Sequence, residues 1–352
     1  MQILRKYAPG ILATAALAVL SKYLSGFIPL QLISAGVFAM LIGMALHPLL
    51  KRFEKGLTGG LQFVSKTVLK ASIVLMGATL SFAQVLQVGK YSLIVMCFTL
   101  LAAFGFGNLF GKLFHMNWKL SNLISAGTGI CGGSAIAAIA PTIEADDSDI
   151  AYAISATFIF DIVMVILFPI MGRYFGMTDM GFGLWAGTAV NDTSSVVAAG
   201  YAFSDAAGSY ATIVKLTRTL SIVPTVLIFA FINQKLKARS LAVSSVAGGA
   251  VPAGTAPTEK SRVSIRKIFP WFILLFLVFV GIKSVGWVPE SLGTPIASVS
   301  KFAMVMALGA IGLKTDFKKV AKSGFLPMVH GFIISALVVV VSFLVQMMLG
   351  QM

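Results

Sequence analysis

The sequence predicts an all-α polytopic membrane protein with inverted repeats and two broken helices that cross at the midplane of the bilayer. Three observations predict it. Of 352 residues, 58% are apolar or aromatic and only 11% are charged, whereas an ordinary soluble domain is roughly 25% charged. The apolar residues fall in runs long enough for about eleven spans of about 20 residues each. Glycine clusters and ionisable side chains interrupt particular runs, which is how discontinuous membrane helices read in a sequence.

Runs bounded by charge or by Pro and Gly clusters lie at 9–27, 30–50, 68–88, 91–111, 120–141, 149–171, 181–203, 209–233, 268–288, 295–313 and 325–349. The first follows a basic start and leads to no cleavage site before a soluble domain, so it reads as a retained span. With the N-terminus inside, Arg5, Lys51, Lys112, Lys119, Arg173, Lys314 and Lys318 share the cytoplasmic side. The acidic loop of Glu144, Asp146, Asp147 and Asp149 falls opposite, and the C-terminus lies outside. The net charge of +15 is then loop charge facing anionic headgroups, with no nucleic acid as partner. Residues 1–233 hold the first eight spans and the candidate site. Residues 234–267, rich in Ala, Gly, Ser, Thr and Pro with seven basic side chains, read as a flexible cytoplasmic linker. Residues 268–352 hold the last three spans.

Two internal similarities stand out. Val64-Ser65-Lys66, Gly77, Phe82, Val85 and Gly89 recur as Val299-Ser300-Lys301, Gly312, Phe317, Val320 and Gly324, at a constant offset of 235. The two copies run in opposite directions, as in an inverted-repeat transporter. At offset 60, Ala126-Gly127-Thr128, Ser134 and Ala138 recur as Ala186-Gly187-Thr188, Ser194 and Ala198. Those two segments have the same orientation in the eleven-span topology, so they do not fit an inverted repeat as counted.

Three segments carry candidate chemistry. In the fifth run, Gly127, Gly129, Gly132 and Gly133 followed by Pro141 disfavour a continuous helix, and opened backbone at Gly132, Gly133 and Ser134 offers amides to an anion. The same glycines match a dinucleotide-binding spacing, which has meaning only after a strand in a soluble domain and is rejected inside an apolar run. In the seventh run, Asn191, Asp192, Thr193, Ser194 and Ser195 are consecutive polar side chains. A charge at a helix centre costs about 2.5 to 3.5 kcal/mol on insertion scales, so Asp192 must be protonated, paired or facing water, and is a candidate for ion coupling. In the eighth, Lys215 and Arg218 share a helix face. Either Asp192 or Asp161 balances them, or an anionic substrate docks between them. Lys66 and Lys70 read as snorkelling side chains at a span end. His47, His115 and His330 are scattered, so no metal site is expected, and the lack of a P-loop leaves no nucleotide cofactor.

At these residues the chain resembles the YeiH-like sulfate-exporter family of bacterial inner-membrane proteins. The segments that carry the resemblance are GTGICGGSAIAAIAP and GLWAGTAVNDTSSVVAAGY, with Lys215 and Arg218 downstream. The resemblance implies a relation to the cation/proton antiporter and bile-acid symporter fold, and a multi-pass inner-membrane location. The leading expectation is a secondary transporter of a small anion, sulfate or an organic sulfonate or carboxylate, coupled to H⁺ or Na⁺ through Asp192 with Asn191 and Asp161. The alternatives are a cation/proton antiporter using Asp161 and Asp192, and an intramembrane enzyme, for which no nucleophile set has convincing spacing. A homodimer through spans 9–50 and 268–288 is expected by analogy with that fold.

Overall fold

The computed structural model describes residues 2–26, 35–50, 54–246, 269–315 and 325–351. It is an all-α membrane protein. Among the described residues six helices are long and apolar enough to cross a bilayer, with shorter apolar helices beside them. The helix α5 (Phe82–Leu113) shows why water is not its solvent: it exposes Leu86, Leu93, Leu101 and Leu109 while burying Val88, Val95 and Ala103. An apolar outer face of that length belongs against lipid.

The chain opens with α1 (Gln2–Ser25) and α2 (Ala35–Leu50). A third element follows in pieces, α3 (Glu54–Phe63), a five-residue π turn at Val64–Val68, and α4 (Leu69–Gly77). The expected boundary between the third and fourth spans moves here. A capping box, in which Ser81 accepts from the Gln84 amide and Gln84 accepts from the Ser81 amide, starts α5 at Phe82. Gly89 and Lys90, read from sequence as the break between two spans, lie inside it. Small residues bring α1 to α3 and α2 to α14 (Glu290–Lys314). A Cβ on Gly60 would collide with the Tyr7 carbonyl, and one on Gly312 with that of Met40. Together with α13 (Trp271–Ser284), these helices form one packed group; α14 lies against α1, α2 and α4.

The second group is built around α8 (Asp147–Tyr174), and two expected passes take a different path in it. The fifth is broken where the glycines predict, into α6 (Trp118–Ala126), a π turn at Gly127–Cys131, and α7 (Gly133–Ile143). If the halves continued in line, 118 and 143 would stand about 38 Å apart at 1.5 Å per residue. Instead Lys119 Nζ donates to the Glu144 carbonyl at 2.6 Å, and Asn117 donates to Asp149 at 3.1 Å. The segment is therefore a re-entrant hairpin whose root sits at the Asp147 end of α8.

The seventh behaves alike. Its halves, α9 (Asp179–Ala189) and α10 (Thr193–Phe203), return together: Ser204 donates to Asp179 at 2.5 Å, and the rings of Phe182 and Phe203 stack at 4.1 Å. This root is tied to the other end of α8, where Arg173 donates to the Ala202 carbonyl at 3.0 Å. The two hairpins enter from opposite ends of one helix. The acidic loop consequently shares a side with Lys119, against expectation, because α6 and α7 do not cross to the far side.

The chain continues through α11 (Asp205–Thr219) and α12 (Ile222–Val246). Residues 234–246 of the expected linker are helical; its remainder lies outside the described residues. Last comes α15 (Phe325–Met348), which packs on α5, α8 and α9. Phe317, Val320 and Gly324, the last three positions of the second offset-235 copy, also lie outside the described residues.

Candidate functional site

The hairpin tips meet half-way along α8. Gly132 turns the first tip with φ 65° and ψ −134°, a backbone region that glycine alone enters freely. A Cβ there would come within 3.4 Å of Asp192 Cα. At the second tip α9 stops at Ala189, Val190 is extended, and Asp192 caps α10 by accepting from the Ser194 amide at 2.8 Å and from the Ser194 hydroxyl. Asp161, buried at mid-α8, accepts the Asn191 amide at 2.7 Å and the Asp192 amide at 2.9 Å. Ser335 of α15 touches both tips, with the Thr128 hydroxyl and the Asn191 side-chain nitrogen Nδ2 each 3.4 Å from its hydroxyl. Sequence reasoning missed Ser335, an ordinary serine in an apolar run.

Lys215 and Arg218 approach from α11 and are fully buried. Neither donates to a carboxylate. Lys215 Nζ donates to the Ile130 carbonyl at 2.9 Å and the Val190 carbonyl at 3.1 Å, one from each tip. Arg218 donates through Nε to the Gly129 carbonyl at 2.6 Å and through a terminal nitrogen to the Thr128 carbonyl. These carbonyls close the first arm of each hairpin, where a helix ends with unsatisfied oxygens and a partial negative charge.

The four arm ends at the tips now sort by charge. Both carbonyl ends meet cations, and the amide end of α10 meets the carboxylates of Asp161 and Asp192. The amide end of α7 is different: no side chain caps Gly133. It opens on a cavity of about 810 Å³ between the two helix groups. Gly133, Ser134, Asp161, Asp192, Thr193 and Ser194 line this cavity on the hairpin side. Lys66, Lys70 and Lys314 line it from the π turn, α4 and α14, and Lys314 donates to Ser65 at 3.2 Å.

The cavity therefore gathers six of the residues singled out from sequence. Gly132, Asn191, Ser195, Lys215 and Arg218 stand behind it in the packed tips. The three lysines on its far wall were not singled out as binding groups, although the four-residue spacing of Lys66 and Lys70 already put them on one helix face. On the other side of α10 lies a second cavity of about 250 Å³, lined by Lys22, Val197, Ala198, Tyr201 and Leu308. There Lys301 of α14 pairs with Asp205 of α11 at 2.7 Å.

The sequence model described as Conserved hypothetical protein 698 matches residues 9–331. A UPF0324 membrane protein of Clostridium tetani is 65% identical over 351 residues, covering 100% of both chains. One from Streptococcus pneumoniae is 39% identical over 99% of both chains, and one from Fusobacterium nucleatum is 36% identical over 97% of this chain and 98% of its own. No solved structure matches.

Proposed function

The chain belongs to the family described as Conserved hypothetical protein 698, whose relatives are membrane proteins, and from that premise we propose that it is a secondary active transporter of a small anion. Sulfate, an organic sulfonate and a carboxylate are the substrate classes that fit. One observation carries the reading: the uncapped amide end of α7, at Gly133 and Ser134, faces an open cavity whose opposite wall holds Lys66, Lys70 and Lys314. Helix amide ends attract anions, and lysines across a water-filled cleft raise the local anion concentration. The hydroxyls of Ser134, Thr193 and Ser194 supply further donors. Lys215 and Arg218 act from behind, holding the tips that present those donors.

Asp192 lines the cavity and is the coupling group for H⁺ or Na⁺. A cation/proton antiporter built on Asp161 and Asp192 is less favoured, because both oxygens of Asp161 are already engaged by backbone amides. The reading is of a carrier and not an enzyme. Opposed hairpins, whose tips carry the offset-60 similarity, are its inverted repeat, and the two cavities on either side of α10 are the two halves of an alternating-access path. The lysine-lined cavity faces the cytoplasm of a bacterial inner membrane, with the N-terminus on that side.

Proteoliposomes loaded with radiolabelled sulfate, ethanesulfonate or acetate test this. The expected result is protein-dependent exchange of at least one of these anions that Asp192→Asn abolishes or uncouples from the imposed ion gradient. Absence of flux for every anion across pH and sodium gradients, with folded protein in the membrane, would remove the carrier reading.

A further inference from the structure

In transporters with discontinuous helices, opened carbonyls and the carbonyl ends of half-helices are where a coupling sodium ion is held. Here the corresponding oxygens are occupied by the protein itself. The Lys215 ammonium is shared between the Ile130 carbonyl of one hairpin tip and the Val190 carbonyl of the other, and Arg218 takes the Gly129 and Thr128 carbonyls beside them. We propose that Lys215 is a resident cation, seated between the two tips where a bound sodium would otherwise sit, so that this chain neither needs nor accepts sodium at that point.

Three features support this. An ammonium is a compact point charge with rotatable donors, the closest side-chain analogue of a monovalent metal ion. Its two contacts are both to backbone oxygens and both of ordinary hydrogen-bond length. Of the acidic and basic side chains hydrogen-bonded to the tip backbone, two are carboxylates, Asp161 and Asp192, and two are cations, Lys215 and Arg218, so their formal charges cancel. A sodium ion added to that set would face two fixed cations a few ångströms away in a low-dielectric interior, where such repulsion is poorly screened. A structural clamp alone could have been built from any donor. A charged group tying the carbonyl ends of two different hairpins also neutralises both dipoles, as a metal ion would.

The coupling side of this inference rests on the carrier reading: with the sodium seat taken, coupling falls to a proton at Asp192. The seat itself can be tested without transport. Thermal unfolding of the purified full chain in detergent is followed in choline chloride, then in isosmotic sodium, potassium or ethylammonium chloride. Wild type is expected to show the same midpoint in all four. Lys215→Ala and Lys215→Gln are expected to unfold several degrees lower in choline and to recover part of that loss in sodium, potassium or ethylammonium, which fit the vacated seat. A sodium-specific rise in the wild-type midpoint would overturn the proposal. So would two variants whose midpoints ignore every small cation, or that no cation restores to a folded state. Sodium-dependent stabilisation of wild type would leave an anion carrier intact, now sodium-coupled. Failure of anion flux would leave the cation seat standing.

Discussion

At Gly132 the backbone sits where a side chain is costly, with φ 65°, and the neighbouring tip approaches to contact distance. Gly132→Ala is expected to destabilise the folded chain by about 1 to 3 kcal/mol, the usual penalty for forcing a non-glycine residue into such a conformation. The check is the thermal midpoint in detergent beside Gly89→Ala, where nothing crowds the added methyl. A Gly132→Ala midpoint no lower than that of Gly89→Ala would show that the first tip is not held in this turn. Residue identities at the site were legible because polar side chains inside apolar runs are conspicuous: Asp161, Asp192, Lys215 and Arg218 all stand out in the sequence. Their partners were not legible. The sequence offers Asp192, Asp161 or a docked anion as partner to Lys215 and Arg218, whereas these two bond to carbonyls and Asp161 bonds to amides. A broken helix releases those backbone groups only once it has turned, and hydropathy carries no record of the turn.

The hairpins show the same limit one level up. Arms of 9 and 11 residues on either side of a glycine break have the summed length of one ordinary span, so composition reads them as a single crossing. Each arm alone is too short to cross, as in a re-entrant segment, and the conflict over the offset-60 similarity was the one sequence signal that favoured it. With α8 as the only crossing between them, hairpins rooted at its two ends present their tips in opposite senses. The element facing them, from the π turn at Val64–Val68 into α4, supplies Lys66 and Lys70, both solvent-accessible in the cavity. Exposed lysines act through their field more than through contact. Replacing both by Gln is expected to raise the apparent KM for the transported anion several-fold at low ionic strength, with the difference shrinking as salt is added. The midpoint of unfolding should hardly move. Equal KM values for variant and wild type at low salt would place anion entry elsewhere.

Across the whole molecule, the two cavities lie along one seam between α10 and α14. Gly133, Ser134 and Asp192 open on one, Tyr201 and Lys301 on the other, and the apolar contact of Met40, Ala198 and Leu308 separates them. Ser134 is exposed in the larger cavity. In a chain with Cys97→Ser and Cys131→Ser, Ser134→Cys is therefore expected to react with a membrane-impermeant maleimide from the cytoplasmic side, in inverted vesicles, and to be shielded in right-side-out vesicles. Labelling from the outer side alone would reverse the assigned orientation.

The placement of both hairpin roots on α8 has a consequence for how this protein can vary. From Asp147 to Asp161 and from Asp161 to Tyr174 are nearly equal stretches of one 28-residue helix, with a hairpin root tied near each end and the second tip bonded to its middle at Asp161. That helix works as a yardstick. Removing a single turn from either half would pull one root about 5.4 Å toward the other, more than any hydrogen bond at the tips could follow. Length changes between the two anchoring points should thus be forbidden even where the side chains themselves are interchangeable.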